Sequence, residues 1–158
     1  MKNEGQLRDY WSKCDWNIGT LFAHDYMALN LLGKCKELEI PTPFQYVFGS
    51  IPCLFQGGRQ TAESVLHPKV FYNRIKGYND IGVSCRLTFS RYNLTEEDLS
   101  DDISNGCLEI LDDLGSEEGI QNGVIVSSDL LADYIRKNYP NLQLISSQVK
   151  YSTETKTG

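Results

Sequence analysis

The segment Gln56-Gly57-Gly58-Arg59 joins two residues that lack a side chain to a guanidinium. Adjacent glycines let backbone amides approach an anion, and Arg59 offers a two-pronged donor for a carboxylate or phosphate. The lysine and glycine spacing of a Walker loop or dinucleotide fingerprint is absent, so this pattern points to no nucleotide in particular. The plain alternative is a tight turn bearing a surface arginine. Small polar residues recur at Gly49 and Ser50, at Thr88, Ser90 and Asn93, at Ser127, Ser128 and Asp129, and at Ser146, Ser147 and Gln148. Hydroxyls and amides of this kind bind polar ligands, and they also cap helices and build loops. The candidate ligand-binding set is Gly57, Gly58, Arg59, Thr88, Asn93, Ser127, Ser128 and Ser146.

No catalytic residue is assigned. His24 and His67 are the only imidazoles, far apart and without a Cys or acid at ligand spacing. His67 precedes Pro68, which suits a turn or helix cap. Serines are plentiful, but no G-x-S-x-G elbow holds one. The pairs Asp101-Asp102 and Asp112-Asp113 read as a solvated helix face. Cys14, Cys35, Cys53, Cys85 and Cys107 are odd in number and scattered, with no C-x-x-C, so reduced thiols are expected and no metal site. No cofactor is implied by these residues.

The elements that must position the candidates alternate. An aromatic start (Trp11, Trp16) leads to a helical pattern from Asp25 to about Leu38, which Pro41 and Pro43 stop. Phe44–Phe48 is rich in aromatic and β-branched residues, as a strand prefers. Pro68 opens a helix that runs towards Gly77. A second strand spans Gly82–Phe89. Thr95-Glu96-Glu97-Asp98 resembles a capping box and opens the strongest amphipathic helix, with Gly106 as a close-packing point and Gly115 as its C-cap. Gly123–Val126, a helix over Leu130, Leu131, Tyr134 and Ile135, and a strand at Leu142–Ile145 complete the series. Strands alternating with helices imply parallel pairing through right-handed crossovers, a parallel α/β fold. In such folds ligands bind at the carboxyl ends of the strands, where all the candidate residues fall.

A chain of 158 residues, 41% hydrophobic and 23% charged, fits one domain able to bury a core. A net charge of -6 argues against a broad nucleic-acid or anionic-membrane surface. No apolar run approaches the roughly 20 residues that span a bilayer. Met1 to Asp9 is polar and charged with no apolar core behind it, so a cytoplasmic location is expected.

Ser50-Ile51-Pro52-Cys53 with Gly57-Gly58-Arg59, then Arg86-Leu87-Thr88-Phe89-Ser90, then Val124-Ile125-Val126-Ser127-Ser128, resemble a group of bacterial proteins related to the collagenase-like peptidase family. Arg136-Lys137-Asn138-Tyr139-Pro140 and Leu144-Ile145-Ser146-Ser147 follow that family's pattern of a helix ending in R-x-x-x-P and a strand finishing in serine. The resemblance covers roughly Phe44 to Lys150 and implies half of a TIM-type barrel. Its relatives are described as peptidases, or act in hydroxylation of tRNA or of a quinone precursor with an iron–sulfur cluster. Their cysteine motif lies in the second half of the barrel and none of the five cysteines here matches it, so neither the cluster nor a peptidase centre is carried over.

The expected organisation is an N-terminal helical segment over 1–43, a (β/α) half-barrel over 44–150 and a disordered tail over 151–158. A barrel needs about eight strands, and four are expected here. A fragment of a longer protein, a half-barrel completed by dimerisation, and an open sheet covered by the N-terminal helix are the three ways to satisfy the exposed edges. Functionally, the first reading is the N-terminal part of an enzyme, a hydrolase or an RNA- or quinone-modifying relative, that binds a small polar or peptide substrate. The second is a non-catalytic module completed by a partner chain or a second copy. A doubly wound nucleotide- or phosphate-binding sheet ranks last.

Overall fold

In the computed structural model the described residues are 16–42, 44–58 and 67–147, with Gly5, Gln6, Asp9 and Lys13. Arg59 and the expected tail at 151–158 lie outside them. The element order is β1 (Trp16–Leu21), α1 (Asp25–Glu37), β2 (Phe44–Gly49), α2 (Pro68–Asn79), β3 (Ser84–Phe89), α3 (Asp102–Glu118), β4 (Gly123–Val126), α4 (Asp129–Asn138) and β5 (Gln143–Ser146). All neighbouring strands pair in parallel, in the order β1-β2-β3-β4-β5. The fold is α/β, as the alternation in the sequence requires.

The sheet has five described strands where the sequence suggested four. The additional one, β1, carries Trp-Asn-Ile-Gly-Thr-Leu inside the segment expected to be helical. Its pairing with β2 is interrupted between Trp16 and Asn17 and between Ile18 and Leu21, and Gly19 interrupts the β-branched pattern. Those irregularities hide it from periodicity.

Register fixes what each face presents. Val47 pairs with Cys85, Leu87 with Val124, and Val124 with Leu144, so these residues share one face with Phe89 and Val126. Right-handed crossovers between successive neighbours place the connecting helices over that face. Phe71, Ile75 and Tyr78 of α2, Leu108, Leu111 and Leu114 of α3, and Leu131 and Ile135 of α4 complete the core there. Val47, Leu87 and Leu108 are 0% exposed, and burying each such aliphatic side chain contributes about 1.5–3 kcal/mol. The other face carries Tyr46, Phe48, Ser84, Arg86, Thr88, Ile125, Gln143 and Ile145 by the same register. Tyr46, Phe48, Ile125 and Ile145 are only half-buried there. This is the open face, the one that the connecting helices leave uncovered.

Helix ends follow local chemistry more closely than the sequence reading did. Pro68 starts α2 and His67 caps it, its Nδ1 accepting from the Lys69 N–H at 3.2 Å. Thr95 does not open α3. A 3-10 turn over Glu97–Ser100 intervenes, and Asp101 is the cap, accepting from Ser104 N at 2.9 Å and Ser104 Oγ at 2.6 Å. Around Thr95 the expected direction is reversed: its N–H and hydroxyl both donate to Asp98 Oδ2, at 2.8 and 3.0 Å. At the other end, Gly119 in the left-handed region, φ 68°, closes α3 four residues beyond Gly115. Gly106 has open space where its side chain would be, so it marks no close packing.

Candidate functional site

The chain leaves β2 at Gly49, turns through Ser50–Cys53 and enters a 3-10 turn at Leu54–Gln56. Phe55 is 0% exposed and stands edge-on to Phe89 of β3, ring centroids 5.5 Å apart. That anchor brings the turn against the carboxyl end of β3. Ser90 N donates to Gln56 O at 3.4 Å, and Arg91 N donates to Phe55 O at 3.2 Å. Gly57 then adopts φ 75°, and a Cβ on it would sit 2.4 Å from Arg91 N. Both conditions admit only glycine without rearrangement.

Between this turn and the segment after β3 lies an open cleft of about 620 Å³. Gly57, Gly58 and Asn93 of the candidate set line it, together with Cys53, Arg91 and Tyr92. Arg91 brings the cation. Its guanidinium lies 3.6 Å from the Asp98 carboxylate and keeps 29% of its side-chain surface exposed. Donation from Thr95 N–H, with the Thr95 hydroxyl and Arg91 adding, holds the Asp98 carboxyl below the usual carboxylate range. Gly58 N–H does not await an anion, because Gln56 Oε1 accepts it at 2.8 Å. Cys53 at the edge of the cleft is a free thiol, pushed up by burial.

The remaining candidates disperse. Thr88, on the open face, and Ser127, just beyond β4, are buried, and among the described residues neither hydroxyl has a hydrogen-bond partner. Ser128 caps α4, its Oγ accepting from Leu131 N at 3.3 Å, so the plain reading explains it. Ser146 is exposed on the helix-covered side of edge strand β5, in register with Val126, and so faces away from Thr88. Arg59 lies outside the described residues. Arg91 was the residue the sequence reading missed. The signal available was its position two residues beyond β3, on the same rim as Ser90 and Asn93.

No protein-family model, no curated protein and no solved structure matches the chain.

The chemistry on offer at the cleft is therefore read from its side chains. It combines one guanidinium, a serine, an asparagine amide, an exposed tyrosine and a neutral thiol, which suits hydrogen bonding to a polar or anionic molecule. Among the described residues no three His, Cys, Asp or Glu side chains are grouped to hold a metal ion. Cys35, Cys53, Cys85 and Cys107 are free thiols, and Cys14 lies outside the described residues. Among the described residues no helix is long and apolar enough to cross a membrane.

Proposed function

We propose that this chain is a (β/α) half-barrel of the type found in proteins related to the collagenase-like peptidases, the N-terminal part of an enzyme. It binds a small polar or anionic substrate at the carboxyl ends of its strands. The observation that carries this reading is the strand order. Five parallel strands follow one another without reversal, so the described sheet has no switch-point crevice of the doubly wound kind, and its strand ends gather at one rim as in a barrel. The cleft over Gly57 and Gly58, with Arg91 beside it, lies on that rim.

Chemistry on a peptide, or modification of an RNA or quinone precursor, is what the resemblance suggests for the complete enzyme, and a cytoplasmic setting goes with it. The part described supplies binding. A thermal-shift screen of small polar, anionic and peptide ligands against the purified chain tests this. Ligands that raise Tm in the wild type should lose that effect in Arg91→Ala, and those that also need the loop arginine should lose it in Arg59→Ala. Stabilisation unchanged in Arg91→Ala removes the cleft from the account.

A second reading, a module completed by another copy or a partner chain, is supported by the edges. Trp16 at the start of β1 is 43% exposed, and edge strand β5 has Gln143 and Ser146 exposed. Unpaired parallel edges invite further strands. Light scattering on the eluted protein decides between the two: a monomer near 17.9 kDa removes the self-completed module, and a folded dimer supports it.

A further inference from the structure

A second cavity lies on the helix-covered side of the sheet, between the start of α2, the first half of α3 and the turn that follows β2. It holds about 420 Å³. That size falls in the range of small-molecule sites, which are mostly apolar and largely preformed. Pro52 and Pro68 make two of its walls, and their rings keep the backbone there stiff. Ile51 and Phe71, 2% and 1% exposed, line its inner side, while Ile103, 63% exposed, stands at its outer side.

Gly106 opens this cavity. It sits in the middle of α3, and it is not among the glycines with positive φ. A Cβ on it would meet nothing outside its own helix backbone within 4 Å. Neither backbone conformation nor close packing therefore calls for glycine here, although glycine weakens a helix interior relative to alanine. What the missing side chain does is leave room. Gly106 lines the cavity three residues after Ile103 and four before Ile110, on one face of α3, so a larger residue would stand in that space.

The charge at this cavity has one sign. Among the described residues that line it, Asp102 is the one charged group. Burial first, then Cys53 and Asp101, raise the Cys107 thiol, so that wall is neutral and Asp101 lies within electrostatic reach of it. The amino end of α3 by itself favours an anion. A helix terminus carries only about half an elementary charge, however, and the two carboxylates outweigh it. A cationic group is therefore favoured at that end of the cavity, and a carboxylate or phosphate is repelled.

We propose that this cavity binds a small cationic amphiphile, an alkyl amine, with its apolar chain between α2 and α3 over Gly106 and its ammonium group at Asp102. The site is separate from the Arg91 cleft. Ile51 and Pro52 line the cavity while Cys53 to Gly58 approach the cleft, so the turn after β2 stands between the two. Their ligands also differ in the sign of their charge, and binding here does not depend on what the cleft takes.

The test titrates the full chain with octylamine, octanol and octanoate, which share one apolar chain and differ in charge. Neutral pH, matched ionic strength and concentrations below micelle formation are used, following Tm and the heat of binding. Octylamine should saturate a single site and bind about two- to fivefold tighter than octanol, the range of an exposed ion pair, with octanoate the weakest. Asp102→Asn should bring octylamine down to the affinity of octanol and leave octanol unchanged. Gly106→Leu should weaken both about tenfold or more, the effect of excluding about two methylenes, with an unliganded Tm unchanged or higher because leucine is the better helix former. Should that variant fail to fold, the Asp102→Asn comparison decides. No saturable octylamine binding, equal affinity for octylamine and octanol, or binding indifferent to a folded Gly106→Leu overturns the proposal. A wild-type dimer in light scattering that a folded Gly106→Leu loses would put a second copy in the cavity and overturn it as well.

Discussion

Asn79 and Asn122 exchange a pair of hydrogen bonds across the amino-terminal end of the sheet. Asn79 Nδ2 donates to Asn122 Oδ1 at 3.0 Å, and Asn122 Nδ2 donates back to Asn79 Oδ1 at 2.8 Å. They are 3% and 1% exposed. Asn79 also donates to Val83 O at 3.0 Å, while Asn122 accepts from Cys85 N at 2.9 Å and donates to Leu111 O at 3.1 Å. Two side chains thus tie the end of α2, the start of β3, the middle of α3 and the start of β4. A polar pair survives in the core because the hydrogen bonds satisfy it from several sides.

Replacing Asn122 with Leu keeps the branched shape, adds bulk, and removes the partner of the Cys85 N–H, the Leu111 carbonyl and the Asn79 amide. The expected cost is about 3 kcal/mol or more, read as a lower urea midpoint at unchanged slope. A loss below about 1 kcal/mol would mean that the pair is incidental to the fold.

Gly57 and Gly58 should respond differently to alanine. Both have positive φ, 75° and 79°, but only at Gly57 would the new methyl meet backbone, that of Ser90 and Arg91. Gly58→Ala should cost about 1 kcal/mol, the price of the left-handed conformation alone. Gly57→Ala should cost clearly more and weaken any ligand of the cleft, because the turn must move off β3. Equal thermal shifts in the two variants would contradict the close approach.

The half-buried thiols of Cys53 and Cys107 should resist alkylation while the protein is folded. Burial first, and the neighbouring Cys53 second, push the Cys107 thiol up to about 12, and burial raises Cys53 as well. At pH 8 iodoacetamide should label Cys107 more than about a hundredfold more slowly in the folded than in the urea-unfolded chain. The sign for stability follows. A thiol whose folded pKa exceeds its unfolded value of about 8.5 stabilises the fold fully below that pH, and the contribution is lost as pH climbs towards 12. Fast labelling of the native protein would count against the packing of α3 on the Cys53 turn.

Asp98 should shape the acid limb. Its carboxyl lies below the ordinary value near 3.9, held there chiefly by the Thr95 N–H. The unfolded chain therefore takes up this proton first on acidification, so the contribution of Asp98 is present at neutral pH and disappears as pH falls below about 4. Asp98→Asn should flatten that part of the stability profile. A profile identical to the wild type would show that the Thr95 and Arg91 contacts do not persist in solution.

The apolar runs in β2, β3 and β4, the proline that opens α2 and the histidine that caps it were legible one residue at a time. Local sterics and hydrogen bonding settle such features within a turn or two of chain. Strand β1 was not, because Gly19 and an irregular register remove the alternation that would mark it, and its strand state is held by pairing with β2, a contact that exists only in the fold. The start of α3 was misread for a related reason. Thr95 and Asp101 are both capping residue types, and the Thr95 hydroxyl is turned to Asp98 while the Asp101 carboxylate accepts from Ser104 N, an arrangement set by hydrogen bonds formed in the fold.

The sequence by itself determined that strands and helices alternate and that small polar residues collect after the strands. Both follow from periodicity and turn chemistry, which act over a few residues. Tertiary structure alone decided which of those polar residues meet. Register sent Thr88 to the open face with Arg86 and left Ser146 on the other side of the sheet, while Ser128 became a helix cap. Burying Phe55 against Phe89 drew Gly57 up to Arg91 and so built the cleft. A one-residue change of register would exchange the two faces of a strand, which is why pairing between distant segments, and not composition, sets the site.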